Sequence, residues 1–393
     1  MEPFGHLDFI MYFVILYYLI LREYGFFTLV KFWINHFPIK IGYNYVNKRI
    51  WLPFPYQTLF NQTATDVEYL IIELIKYYVN ELSTSFESSI FFDGRIFKVI
   101  NRIRHWRYCG DGVGDITIND IGKGIWIYSN SRIDLAVHDV GIYYIHGALS
   151  FGSGHMYSEY LSILALNLLQ QGFENPGIFI PKLIEKDDNH LLIGYQHFQT
   201  HFHKNIIIMA DSCGTSLALD LMMKISNHSQ LIKPRLAILI SPVVMENENI
   251  KYKNHSSYVE NEDFINNKIL KNWISTKRIC DFSTNFSNLT ITELQSILPN
   301  VLISYGSQEF LAKDIEKFIN KIKQTSIKIR VDCYKGKLHN WPITSFYSER
   351  FVDKRERTIQ FYSAFIARVL IGDSFYDSII VPTNINSRDE NYV

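Results

Sequence analysis

The sequence predicts an α/β fold, a mostly parallel central sheet flanked by helices, and three observations carry that expectation. Short β-branched and aromatic runs recur from about residue 122 onward. Most are separated from the next by a segment long enough for one helix. They are apolar at successive positions rather than at alternate ones, as strands buried on both faces must be.

In chain order the strand-like runs are GIWIYS, VGIYYIHG, GIFIPKLI, NIIIMADS, LAILISPVV, NVLISYGS and IKIRVDCYKG. Helical spacing of apolar residues places the intervening helices at 155–171, 188–203, 214–226, 313–324 and 355–371. Residues 246–295 break this rhythm. They are polar, rich in Asn and Ser, and longer than a crossover needs. A lid-like excursion beside the sheet and a disordered surface insertion both fit. The chain therefore divides into 1–35, a lead-in or cap region at 36–120, a catalytic domain at 121–372 and a disordered tail at 373–393. Within the lead-in, VEYLIIELIKYYVNEL (67–82) has apolar positions at three- and four-residue intervals, an amphipathic helix.

Composition removes several classes of function. Lys+Arg and Asp+Glu both number 39, with no basic block interleaved with aromatics, so nothing draws nucleic acid to this chain. Four widely spaced cysteines form no C-x-x-C pair, which excludes a zinc knuckle and a dense disulfide framework while leaving room for one or two bridges. No metal or organic cofactor is implied.

The stretch FIMYFVILYYLIL (9–21) is uncharged. As a helix it spans about 20 Å, short of the ~30 Å hydrocarbon core unless it continues past Arg22 and Glu23. A membrane anchor, an in-plane interfacial helix and a buried core helix are the three readings. The basic residues Lys31, Lys40, Lys48 and Arg49 follow the segment, which by the positive-inside rule places the bulk of the chain in the cytosol. Five N-x-S/T sequons, at Asn61, Asn227, Asn254, Asn285 and Asn288, permit a secretory-pathway location instead.

In open α/β sheets the chemistry gathers where loops leave the carboxyl ends of strands, so the residues ending each run carry the candidates. Ser212 follows NIIIMA and precedes LALDLMMKI within Ala210-Asp211-Ser212-Cys213-Gly214, a small-x-Ser-x-Gly form of the nucleophile elbow. The plainer reading of Ser212 is a helix N-cap. Cys213 would offer a backbone N–H to an oxyanion. Further donors are expected from Gly147, Ala148 and Leu149, in the HGAL that begins at His146 after an earlier strand. His339, after the last strand and before a Pro-marked loop, is the candidate base. Glu309 in SYGSQEF is the candidate acid, with Asp314 as fallback. The order Ser212, Glu309, His339, each at a different strand end, is that of nucleophile, acid and base.

The segments HGALSFGSG, ADSCGTSLAL, ISYGSQEFLAKDIEKF and LHNWP resemble, over roughly 120–371, the hormone-sensitive-lipase-like branch of the α/β-hydrolases, and more closely the fungal steryl acetyl hydrolases. That resemblance implies an α/β-hydrolase fold with a lid or cap from the N-terminal region and the insertion. It implies a serine esterase removing acetyl groups from sterol acetates, anchored in the endoplasmic reticulum membrane with its catalytic domain in the lumen. Its partners would be an apolar ester and the membrane. Three positions depart from the family's pattern. HGAL stands for HGGG, ADSCGT stands for GDSAGG, and Glu stands where Asp is frequent. Added Cβ atoms narrow the oxyanion loop, so a catalytically impaired lipid-binding or interaction protein is one alternative. An esterase or lipase on glycerides or xenobiotic esters is another.

Overall fold

A computed structural model describes residues 116–121, 123–129, 138–147, 154–183, 189–201, 205–245, 281–348 and 352–371. It also describes residues 14, 15, 18, 22, 60, 64, 69, 72, 73, 76, 96, 99, 263, 265, 266, 269–271, 274 and 279. The strands are β1 (Ile116–Asp120), β2 (Gly124–Ser129), β3 (Val140–Ile145), β4 (Pro176–Pro181), β5 (Ile206–Asp211), β6 (Leu236–Ile240), β7 (Asn300–Gly306) and β8 (Ile329–Tyr334). They form one sheet of order β1-β2-β4-β3-β5-β6-β7-β8. β1 and β2 are antiparallel, and every pairing from β4 through β8 is parallel. The helices are α1 (Ser158–Gln170), α2 (His190–Gln199), α3 (Cys213–Ser226), α4 (Asp281–Asn285), α5 (Ile291–Ile297), α6 (Ala312–Ile322), α7 (Trp341–Ser348) and α8 (Val352–Ile371).

Both faces of the central strands are apolar and each feeds its own core, which is why the runs read as continuous rather than alternating. In β5, Ile206, Ile208 and Ala210 face the core shared with α2, α3 and α6, while Ile207 and Met209 face the core shared with α1, α7 and α8. β3 does the same, with Tyr143 and Ile145 on the first side and Val140, Ile142 and Tyr144 on the second. Tyr69 and Ile72 of the expected amphipathic helix at 67–82 are helical and buried in the first core. Glu73 and Lys76 are also helical and buried, and their side chains pair at 3.1 Å.

From β3 the chain winds through α1 to β4 on one side, then crosses back to β5 on the other side of β3. The succession β5, β6, β7, β8 then continues away from that point. The winding direction reverses between β3 and β5. At such a switch point the loops leaving adjacent strands diverge and open a crevice at the carboxyl edge. The loops holding Gly147 and Ser212 flank it.

The structure differs from sequence expectation in three places. The sheet starts at Ile116, ahead of the boundary placed at 121. β1 is an edge strand whose remaining residues are only partly covered or exposed, so it lacks the apolar continuity that marks the others. The Pro-marked segment after His339 is the helix α7, not a loop. Pro342 lies in its first turn, where a missing N–H removes no helical bond. The later part of 246–295 is packed structure rather than excursion. Ile265, Ile269, Leu270, Ile279, Phe282, Phe286 and Leu294 are all buried in the first core, and Met245 N–H donates to Ser283 O at 2.8 Å. Residues 246–262, the tail at 373–393 and the apolar segment at 9–21, apart from Val14, Ile15 and Tyr18, lie outside the described residues. No helix among the described residues is long and apolar enough to cross a membrane.

Candidate active site

Ser212 stands between β5 and α3 with φ 51° and ψ −130°. A non-glycine residue there carries strain of order 1–3 kcal/mol, and the surrounding contacts hold it in place. Its N–H donates to Ile240 O at 2.9 Å. Its carbonyl accepts from Thr215 Oγ1 at 2.5 Å, and the same hydroxyl accepts from Val243 N–H at 2.9 Å. Thr215 thus adds two ties that a glycine at that position could not make. Ser212 makes no side-chain cap on α3, so the N-cap reading of this serine does not hold.

The turn needs glycine on one side. A Cβ on Gly214 would stand 2.3 Å from Ile145 O and 2.7 Å from His146 O, and one on Gly147 would meet Asp211 O at 2.2 Å. Ala210, by contrast, keeps its methyl in the first core. This is the physical sense of small-x-Ser-x-Gly: β3, β5 and α3 converge within backbone contact distance.

His339 Nε2 lies 2.8 Å from Ser212 Oγ, and His339 Nδ1 lies 3.1 Å from Glu309 Oε2. Glu309 Oε1 accepts from Ser241 Oγ at 2.5 Å and from Gly306 N–H at 2.6 Å, and Ser241 Oγ in turn accepts from Asn340 N–H at 2.8 Å. Ser212, Glu309 and His339, at the ends of β5, β7 and β8, therefore meet as the sequence order predicts. Glu309 has both carboxylate oxygens engaged, which fixes the imidazole ring and its tautomer with Nδ1–H toward the carboxylate and Nε2 toward the serine. Burial pushes the His339 pKa down, but Glu309, Asp263 and Asp211 outweigh burial and the net direction is up. Asp314, the fallback, lies in the first turn of α6, and the carboxylate bonded to His339 Nδ1 is that of Glu309.

Asp211 is fully buried and organises the other wall. It accepts from Tyr144 OH at 2.7 Å, Gly147 N–H at 2.9 Å, Asn340 Nδ2 at 2.8 Å and Tyr157 OH at 3.3 Å. Burial pushes its pKa up, and the four donors pull it back. Gly147, nominated as an oxyanion donor, therefore spends its N–H on Asp211. Its carbonyl accepts from Cys213 Sγ at 2.8 Å, so that the residue is held through both its N–H and its C=O. Cys213 opens α3, where N-terminal N–H groups and the helix dipole favour negative charge. Ala148 and Leu149 lie outside the described residues. His146 is buried and stacks on Tyr157 at 5.5 Å, and burial lowers its pKa to about 4. It is a neutral packing group beside the site.

Sequence reasoning missed Ser241, Asn340, Tyr144 and Asp263. Ser241 ends the run LAILIS and could have been found by the same inspection of strand ends. Asp263 lies in a polar stretch with no signal of its own. Cys213 and Cys333 are free thiols, which removes them from any disulfide, while Cys109 and Cys280 lie outside the described residues. Among the described residues no group of three His, Cys, Asp or Glu side chains is placed to hold a metal ion.

Residues 185–340 match the family described as steryl acetyl hydrolase. A protein described as an esterase from Acinetobacter venetianus is 30% identical over 142 residues, which is 35% of this chain and 45% of that one, so the match spans less than half of the relative's length. The Francisella virulence factor BioJ superposes with a TM-score of 0.54 at 16% identity, covering 79% of this chain and 98% of BioJ. An esterase from the bacterial hormone-sensitive lipase family superposes with a TM-score of 0.51 at 14% identity, covering 78% and 99%. The fold agrees with these likenesses: the chain has the α/β-hydrolase fold, and its stretch from 185 to 340 matches the steryl acetyl hydrolase family.

Proposed function

We propose that this protein is a serine carboxylic-ester hydrolase that removes acetyl or other short acyl groups from sterols or similarly apolar alcohols. The observation that carries the reading is the continuous relay Ser212 Oγ, His339, Glu309 at 2.8 and 3.1 Å on a strained elbow. In the first half-reaction Ser212 Oγ attacks the ester carbonyl as its proton passes to His339 Nε2. The oxyanion forms beside the Cys213 N–H, with Ala148 and Leu149 the further donors that the sequence nominates, and one such donor is worth about 3–4 kcal/mol. The C–O bond to the alcohol then breaks, and the alcohol leaves with the proton from His339. Water repeats the sequence against the acyl-serine and releases the short acid.

The apolar alcohol, the N-terminal membrane anchor and a lumenal location in the endoplasmic reticulum rest on the family resemblance, the segment at 9–21 and the sequons. Hydrolysis of p-nitrophenyl acetate by the membrane fraction tests the chemistry. Ser212→Ala is expected to lower it by roughly 10⁴-fold or more. Equal rates in the two proteins would end the ester-hydrolase reading in favour of a lipid-binding or interaction protein. Acetate release from a steryl acetate, set against fatty-acid release from a triglyceride, separates the sterol reading from a glyceride lipase.

A further inference from the structure

We propose that Asp263 is a positioning residue of the Ser212–His339–Glu309 relay, clamping the acid-bearing loop after β7 to the base-bearing loop after β8 through their backbone amides. The inference rests on the ester-hydrolase reading and deepens it.

Asp263 is 2% exposed, deeper than almost any unassigned carboxylate tolerates. Its Oδ2 accepts from Phe310 N–H at 2.7 Å, and Phe310 directly follows Glu309. Its Oδ1 faces His339 N–H at 3.4 Å. One carboxylate thus touches the backbone on both sides of the Glu309–His339 hydrogen bond. Further back the two loops are joined by Ser307 N–H to Tyr334 O at 2.9 Å and by Gln308 N–H to Lys337 O at 3.0 Å. Asp263 extends that seam to the two residues doing chemistry. It is itself anchored by Ile265, Ile269 and Leu270, buried in the first core. The long segment between β6 and β7 therefore reaches the relay by a buried ionisable group and not by surface contact.

Among the described residues, His339, Glu309 and Lys76 are charges that act on Asp263, the last from the lead-in region. Burial pushes the Asp263 pKa up to about 6 and Glu309 adds to this, while His339, the Phe310 N–H and Lys76 oppose it. Asp263 in turn helps hold the His339 pKa up. Protonating Asp263 removes an acceptor from the clamp, so on lowering the pH the relay is lost through two groups and not one. Ser212 is fully activated only when both are deprotonated.

The test is the rate at which a fluorophosphonate labels Ser212 in the full chain as a function of pH, a readout that needs no knowledge of the natural substrate. Asp263→Asn preserves shape and one acceptor oxygen but removes the charge. The plateau rate is expected to fall about ten- to a hundredfold, as for small misplacements of catalytic groups. The acid limb should move to lower pH, because a negative neighbour of His339 has gone. A merely structural role would lower the amount of folded protein without moving that limb. A limb that stays in place in folded Asp263→Asn overturns the inference alone. Absence of labelling in the unmodified protein overturns the hydrolase reading and this inference with it. Should the variant fail to fold, the unmodified protein decides: below about pH 6 its labelling should fall by more than about tenfold per pH unit, and a one-proton limb throughout overturns the clamp.

Discussion

Gly214 shows at the residue scale why the elbow has the composition it has. Its Cα faces the backbone of β3, and the nearest atoms to an added Cβ are carbonyl oxygens and not the ends of movable side chains. Relief therefore requires a strand or helix to shift, and both are locked into the two cores. Gly214→Ala is expected to cost about 2–3 kcal/mol of stability and to lower ester hydrolysis more steeply than stability alone explains, because the shift displaces Ser212 Oγ from His339. Urea denaturation followed by tryptophan fluorescence, run beside the p-nitrophenyl acetate assay, checks both parts. A variant as stable and as active as the parent would mean that the close approach of α3 to β3 is not required. The grouping of Ser212, Glu309 and His339 was legible from the sequence because each follows an apolar run, and the strand end is itself a sequence signal. Asp263 was not, since what makes it matter is burial by residues far away in the chain, and its neighbours Glu262 and Asn261 look like solvated loop.

Among the elements, α2 shows how a helix without a capping side chain is held. Asn189 at its N-cap makes no side-chain bond to the helix. Stability comes instead from an aromatic cluster laid against β2, β3 and β4. Phe198 is fully buried, with its ring 5.6 Å from Trp126, 5.3 Å from Tyr143 and 6.2 Å from Phe179 and from Tyr195. Tyr143 OH donates to Leu191 O at 3.0 Å and Tyr195 OH to Ile232 O at 2.6 Å, so the two phenols keep their polar ends satisfied. Phe198→Ala is expected to lower stability by about 3–5 kcal/mol with little change in kcat for the folded fraction, since the cluster lies under the sheet and away from Ser212. Thermal melting with an active-site titration of the surviving protein checks this; a loss of kcat without a loss of stability would contradict it. Helices of this kind were legible by period and length. α7 was hidden by Pro342, which reads as a breaker until its place in the first turn is known, and β1 by its polar, partly exposed sequence.

The whole molecule has two edges of different character, and they bear on where it works. The relay and the elbow lie at the carboxyl edge of the sheet. α3 runs from Ser212 back toward the opposite edge and ends at Asn227, its C-cap, which is exposed and heads the sequon Asn227-His228-Ser229. Fourteen residues of helix separate the two, about 21 Å, so a glycan on Asn227 would stand clear of the crevice. Asn288, the other exposed sequon residue among those described, lies in the turn between α4 and α5. A domain facing the lumen of the endoplasmic reticulum should carry sugar at such positions. Endoglycosidase treatment is then expected to increase its gel mobility, and Asn227→Gln to remove one step of that shift while leaving ester hydrolysis unchanged. Protease added outside sealed microsomes should spare the domain. The basic residues after segment 9–21 favour the opposite face. Unchanged mobility together with digestion from outside would place the crevice in the cytosol. An apolar ester would then reach Ser212 from the cytosolic leaflet.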